Sequence, residues 1–306
     1  MENKVIYDAL SITSKIHQVV DFIELLGLKD VTWKTVKGAH GYQDRLYFEA
    51  ISIHFNGAED MGIWLEMMGQ GCRAFETYGN GNYELLFDEV FNNPGDMKIT
   101  RLDVAYDDHD GFLDIDVMCQ DTREQKYVSR FTEWQVIEGS KGNSILHGSM
   151  KSDVFIRIYD KARERGFNDG RHWIRAEMQL RRDRAMSFAR YSGDIGKRYS
   201  GVLRNYLRYV QPSEEDENKW RWPEAEYWSA FLGDAAAISI YEKPGAEYNI
   251  FCLENYVFKQ AGNAIDAYID ICGTDDFFEK LRTRGTAPNE KYEELKRQSK
   301  GGLYDA

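Results

Sequence analysis

Cysteine and long apolar runs are what this 306-residue chain has little of. Its four cysteines, Cys72, Cys119, Cys252 and Cys272, show neither C-x-x-C nor zinc spacing, which leaves them as reduced thiols of a cytoplasmic protein. No stretch approaches the roughly 18 to 20 apolar residues that span a bilayer, and the amino terminus has no secretory pattern, so no membrane partner is expected. Gly69-Gln70-Gly71 lacks the lysine and the glycine spacing of a phosphate loop or dinucleotide fingerprint; a tight turn is expected there, and an ATP-driven function has no support. Positive charge is also scarce: 39 Lys and Arg against 51 Asp and Glu give a net charge of −12, an unfavourable balance for a nucleic-acid binder. With 42% hydrophobic and 14% aromatic residues, the chain can bury one large core or two modest ones.

What is present is a set of strongly alternating segments. In Ser152-Asp153-Val154-Phe155-Ile156-Arg157-Ile158-Tyr159-Asp160-Lys161, a β register sends Val154, Ile156 and Ile158 one way and Phe155, Arg157, Tyr159 and Lys161 the other. A face carrying two cations and a phenol suits a negatively charged partner, and a tyrosine beside fixed cations can attack a phosphodiester. After a turn-rich stretch, Trp173 to Leu180 alternates again, placing Arg175, Glu177 and Gln179 opposite Ile174, Ala176, Met178 and Leu180. The two segments read as an antiparallel hairpin that brings Glu177 onto the face of Tyr159. The same rule puts Arg101, Asp103 and Asp107 on that face from the segment Thr100 to Asp108, and Glu66 from Gly62 to Met68.

Recurrent carboxylates on one face suit a hard divalent cation, Mg²⁺ or Mn²⁺, which takes one or two carboxylates plus substrate phosphate. Asp103 and Glu177 are the first choices as ligands and Glu66 the third. Such an ion would polarise a phosphoryl oxygen and lower the pKa of an attacking hydroxyl. Alternating charges also decorate ordinary solvent-facing sheets; agreement among four strands is what favours a site.

Thr100-Arg101-Leu102-Asp103, Arg157-Ile158-Tyr159-Asp160-Lys161 and Trp173-Ile174-Arg175-Ala176-Glu177, with the upstream run Leu65 to Glu76, resemble in order and spacing the rolling-circle replication initiators of small plasmids. That family includes relaxases of integrative and conjugative elements. The resemblance covers roughly residues 5 to 210 and implies metal-assisted nicking and joining of DNA. It makes Tyr159 the nucleophile, forming a 5′-phosphotyrosine link and releasing a 3′-hydroxyl, so that the strand can be rejoined without ATP. It matches Asp103 and Glu177 to acidic metal positions, with Arg157 and Lys161 stabilising the phosphate charge and favouring the phenolate. Arg73, Arg101, Arg175 and Arg181 are the cations expected on DNA phosphates. The implied partners are origin or transfer-site DNA, single-stranded at the nick, a second copy of the chain and a host helicase. The histidine-hydrophobe-histidine triplet of many rolling-circle nucleases is absent; His54, His147 and His172 are scattered, and only His172 lies near the hairpin turn.

Tyr191, Tyr199, Tyr206 and Tyr209 are rival nucleophiles, in a segment that reads as helical from Val202 to Val210; packing or base stacking also accounts for them. The acidic balance is local as well: residues 151 to 210 hold 15 Lys and Arg against 7 Asp and Glu, +8 where the remainder carries −20. Hairpins mixed with helices predict an α+β fold, mainly an antiparallel sheet with helices on one face. Helices are expected over about 16–26, 83–91 and 115–124, and strands over 7–13, 42–55 and 61–68. Near residue 211 the chain turns polar and acidic, dividing a catalytic domain, 1–210, from a helical region, 211–306, with helices at 253–271 and 290–297 and a frayed end from Ser299. The resemblance implies association or origin recognition as its role, and no residue motif assigns either. A replication initiator leads, since the chain starts almost directly on the catalytic fold without the helix-turn-helix region of several relaxases. A relaxase and a catalytically silent DNA-binding regulator are the alternatives; a regulator needs none of Tyr159, Asp103 and Glu177.

Overall fold

The computed structural model describes residues 4–190, 194–233, 257 and 262–283. Contacts divide the chain into two units, Met1–Tyr241 and Glu242–Ala306, a boundary beyond the change of character near residue 210. The first unit is built on one ten-stranded sheet in the order β2 (Lys34–Lys37), β3 (Asp44–Phe48), β4 (Ile51–Phe55), β5 (Ile63–Met68), β1 (Lys4–Ser14), β6 (Met97–Asp108), β11 (Ile174–Arg181), β10 (Val154–Asp160), β9 (Ser144–His147) and β8 (Trp134–Ile137). Each of these strand pairs is antiparallel. The fold is therefore α+β, as the alternating pattern predicts.

The alternation decides which face is covered. Leu10, Ile12, Leu65, Leu102, Val104, Ile156, Ile158 and Met178 are fully buried in one cluster with Phe22, Phe75, Phe87, Met118, Phe188, Tyr199 and Trp228. These last come from helices α1 (Val19–Leu25), α2 (Gly69–Tyr78), α3 (Tyr83–Asn92), α4 (Ile115–Arg123), α6 (Asp183–Arg190), α7 (Ile195–Tyr206) and α8 (Glu226–Leu232). Each such side chain contributes about 1.5–3 kcal/mol by leaving water, which holds the helices to that face. The opposite face keeps Glu66, Arg101, Arg157 and Glu177 half-buried at its surface. Trp228, Phe231 and Leu232 join the core, so α8 belongs to the sheet's unit although it follows residue 210.

Local structure departs from the sequence reading in four places. Gly69-Gln70-Gly71 is the first turn of α2 instead of a tight turn; a Cβ on Gly71 would lie 2.4 Å from the Ala50 carbonyl oxygen, so glycine is required for the helix to approach β4. Residues 42–55 are two strands joined through Glu49 and Ala50, whose φ angles are +43° and +66°; the hairpin closes without the Asn-Gly signature that marks such turns. The helix expected over Val202–Val210 ends at Tyr206, and β12 (Leu207–Tyr209) pairs with β7 (Tyr127–Ser129). Lys161 leaves the strand and opens a short helix, α5 (Lys161–Glu164), capped by the Asp160 carboxylate, which accepts from the Arg163 backbone N–H at 2.9 Å.

In the second unit, α9 (Gly262–Cys272) and α10 (Thr274–Thr283) form a helical pair. The Tyr268 hydroxyl donates to Asp276 Oδ2 at 2.8 Å, and Lys280 Nζ donates to the same hydroxyl at 2.6 Å. The first part of the helix expected over 253–271, the whole of that over 290–297 and the end from Ser299 lie outside the described residues. Among the described residues, no helix is long and apolar enough to cross a membrane.

Candidate active site

Register builds the site row by row. Tyr159 stands opposite Arg175, which stands opposite Asp107; Arg157 faces Glu177; Gln179 faces Asp103; and Arg181, Arg101, Ser11 and Glu66 continue the last row into β5. Because side chains alternate along each strand, these groups share the helix-free face.

Tyr159 is only 2% exposed. Lys161 Nζ donates to its hydroxyl at 3.2 Å, and the hydroxyl donates to Glu177 Oε2 at 3.4 Å. The Arg157 guanidinium lies 3.8 Å from the ring centroid, a cation–π contact that holds the ring. Glu164 of α5 forms ion pairs with both cations, at 2.5 Å from Lys161 Nζ and 3.6 Å from Arg157 Nη2. Burial, then the Glu177 charge, hold the phenol above its ordinary pKa against the opposing charges of Arg175 and Arg157. The Arg157 charge pulls toward the phenolate, as expected, but desolvation and the neighbouring carboxylate outweigh it and favour the protonated phenol. For Tyr159 to act as a nucleophile, it would have to lose that proton as it reacts.

The acids are crowded. Asp103 is buried, and Arg101 clasps both its oxygens, Nε at 2.9 Å from Oδ1 and Nη2 at 2.5 Å from Oδ2. Burial still raises its pKa, with Arg101 opposing and Asp8 adding. Burial, then the charges of Asp103 and Asp8, push the Glu177 carboxyl up to about 7. Glu66, on β5, is half-buried with His54 Nε2 at 3.9 Å. Hard carboxylate oxygens with too little positive charge around them suit a divalent cation chemically. Yet among the described residues no three His, Cys, Asp or Glu side chains form a group able to hold a metal, and Asp103 is occupied by Arg101. The expected trio of Asp103, Glu177 and Glu66 thus shares a face without being gathered around one point.

Asp8 is the site residue that sequence reasoning missed. It falls at a β-bulge, where the pairing of β1 with β6 shifts between Tyr7 and Ala9, so simple alternation assigns it to the wrong side. Its carboxylate accepts from Arg175 Nη1 at 2.8 Å. Arg175 also makes a bidentate bond to Asp107, both contacts at 2.7 Å, and Trp173 Nε1 donates to Asp107 Oδ1 at 2.8 Å. Burial pushes Asp107 upward, but Arg175 and the indole N–H carry it below the ordinary carboxylate range. The guanidinium expected on DNA phosphate is thereby buried and committed to two carboxylates. Arg73 reaches from α2 to the Tyr7 carbonyl oxygen and to Glu76, and Arg181 stands beside Arg101 with its Nε unbonded.

Two of the rival tyrosines, Tyr199 and Tyr209, are core residues. Tyr199 is fully buried and donates to the Ala176 carbonyl oxygen at 2.7 Å; Tyr209 is fully buried against Thr122 Oγ1 at 2.7 Å. Tyr206 is half-buried with its pKa raised by desolvation. Tyr191 lies outside the described residues. His172 Nε2 lies 3.2 Å from Asp108 Oδ2, whose carboxylate also accepts three backbone N–H bonds, so it braces the loops beside β11.

Comparison with known proteins agrees with the motifs. Residues 97–281 match the family model described as replication initiation factor, and residues 4–91 match the rolling circle replication initiation protein N-terminal domain. The chain is 26% identical over 263 residues to "Putative DNA relaxase NicK" of Bacillus subtilis (strain 168), covering 79% of this chain and 74% of that protein. It is 32% identical to the solved rolling circle replication initiator protein from Geobacillus stearothermophilus, with a TM-score of 0.71 over 79% of this chain and all of that one. With a family model spanning more than half its length and a solved relative 32% identical over 79% of it, the chain belongs to the rolling-circle replication initiator family.

Proposed function

We propose that this chain initiates rolling-circle replication by nicking one DNA strand at a specific site and rejoining it through Tyr159. One observation carries the reading: the Tyr159 hydroxyl sits between the Lys161 ammonium and the Glu177 carboxylate, beneath the Arg157 guanidinium. The phenol oxygen attacks the phosphorus, its proton passing along the existing hydrogen bond to Glu177. The bond to the 3′ oxygen breaks, leaving a 3′-hydroxyl and a 5′-phosphotyrosine; reversal of the same exchange rejoins the strand. Lys161 and Arg157 neutralise charge that grows on the phosphate oxygens. Asp103, Glu177 and Glu66 are the carboxylates that would have to come together to hold Mg²⁺ or Mn²⁺, Asp103 first giving up Arg101; a bound ion would polarise the phosphoryl oxygen. Arg101, Arg181 and Arg73 are assigned to DNA phosphates, whereas Arg175 acts by holding Asp8 and Asp107 in place. The second unit is assigned to association with a second copy or to origin recognition, and a host helicase would extend the opened strand.

A relaxase acting on transfer-site DNA uses the same chemistry, and the likeness to NicK supports that second reading. The test is incubation of the protein with labelled single-stranded oligonucleotides tiled across the neighbouring DNA, with Mg²⁺, Mn²⁺ or chelator. Metal-dependent cleavage at one site, with a free 3′-hydroxyl and rejoining to an added acceptor strand, is the expected result. Tight binding without cleavage of any oligonucleotide would leave the catalytically silent regulator.

A further inference from the structure

Beside Tyr159 the structure has a groove of about 520 Å³, within the size range of small-ligand sites. Its cationic wall is Lys4, Arg73, Lys161, Arg165 and Arg175. The two acids in it, Asp8 and Asp107, are both bonded to Arg175, so their charge is largely answered within the wall. The side chains of Lys4 and Arg165 are exposed and have no hydrogen-bond or ion-pair partner among the described residues. Trp173 supplies the apolar surface: its indole N–H is anchored on Asp107, and the ring is half-buried. The groove adjoins the reacting atom, because Lys161 lines it while donating to the Tyr159 hydroxyl, and Arg175 lines it as the cross-strand partner of Tyr159. A pocket with free cations and an aromatic plate, the Trp173 indole with the His109 ring 5.3 Å and the Phe167 ring 6.4 Å away, fits a single nucleotide unit, in which a phosphate meets the cations and a base meets the ring.

We infer that this groove receives the nucleotide next to the scissile phosphate, with its base turned out of the strand onto Trp173 and its phosphate on Lys4 and Arg165. The inference rests on the nicking reading for the word scissile, but the capture of one nucleotide stands on the groove itself. Held this way, the adjoining nucleotide fixes the position of the phosphodiester against Tyr159 and gives the enzyme one point of sequence or shape selection that is independent of the metal. Trp173, Lys4 and Arg165 are then positioning residues.

The test uses the full chain carrying Tyr159→Phe, which binds without reacting, and a tightly bound single-stranded oligonucleotide from the neighbouring DNA with one abasic residue walked through it. Affinity is read by fluorescence anisotropy. One abasic position is expected to weaken binding roughly five- to a hundred-fold, the range for loss of a base stack. Trp173→Ala should cause the same loss, with no further loss when the two are combined and with recovery in Trp173→Phe. Lys4→Ala and Arg165→Ala, both at exposed positions, should weaken binding and flatten its salt dependence. Equal sensitivity at every abasic position, or losses that multiply when combined with Trp173→Ala, would overturn the inference. So would Trp173→Phe behaving like Trp173→Ala, since the indole would then act only through Asp107. Failure of the wild-type protein to cut the same oligonucleotide would count against the nicking reading alone; where it does cut, the sensitive position must adjoin the cut.

Discussion

At the scale of single residues, the site is a competition between burial and charge. Glu177 shows the balance: its carboxyl is pushed from the ordinary 4.5 up to about 7. Between those values the folded chain binds more protons than the unfolded one, so this group lowers stability as pH rises through the window. Glu177→Gln, neutral throughout, is expected to raise the unfolding free energy by about 1–2 kcal/mol near pH 8 and to leave it nearly unchanged near pH 4. Denaturant titrations at the two pH values check this, and an equal effect at both would remove the electrostatic explanation. A divalent ion should relieve the same crowding, so Mg²⁺ or Mn²⁺ is expected to raise the melting temperature of the wild-type chain near pH 8 and not that of Asp103→Asn. Period-two alternation made Arg157, Tyr159, Asp103 and Glu177 legible as one face. Two things were not legible: the proton on Tyr159, which depends on how far neighbours exclude water, and the pairing of Arg175 with Asp8 and Asp107, which joins residues far apart in sequence.

At the scale of elements, regular strands are legible and irregularities are not. β5 alternates cleanly in burial, and in β10, β11 and the second half of β6 the core residues alternate in sequence with the charged, polar and aromatic residues of the site face. The bulge that swings Asp8 onto the site face has no composition signal, and neither has the Glu49-Ala50 turn. Short strands such as β7, β8, β9 and β12 are three or four residues each, too short for periodicity to separate from a loop. Gly71 carries the clearest consequence at this scale. Gly71→Ala places a methyl group against the Ala50 carbonyl, and the forced separation of α2 from β4 is expected to cost about 1–3 kcal/mol in a denaturant melt. Since α2 also carries Arg73 into the groove, that variant should lose DNA affinity as well. A variant of unchanged stability would show that α2 can shift freely.

At the scale of the whole molecule, net charge and local charge point in opposite directions. The chain carries −12 overall, but its 151–210 segment is +8 and contributes β10, β11 and the groove residues Lys161, Arg165 and Arg175. Binding through the cations of the site face should be salt-dependent, with Arg181→Ala reducing the slope of log affinity against log salt by about one. An unchanged slope takes Arg181 off the phosphate path. The antiparallel architecture was legible because each long strand declares its buried side; the extent of the first unit was not, because α8 rejoins the core through Trp228, Phe231 and Leu232 after an acidic stretch that reads as a boundary. All of this frames one proposed nucleophile, Tyr159. Peptide mass spectrometry of the protein after reaction with its cut-site oligonucleotide and Mn²⁺ tests it most directly: a 5′-phosphonucleotide on the peptide containing Tyr159, absent from Tyr159→Phe although that variant still binds, is the predicted result, and an adduct on another residue or one persisting in Tyr159→Phe would contradict it.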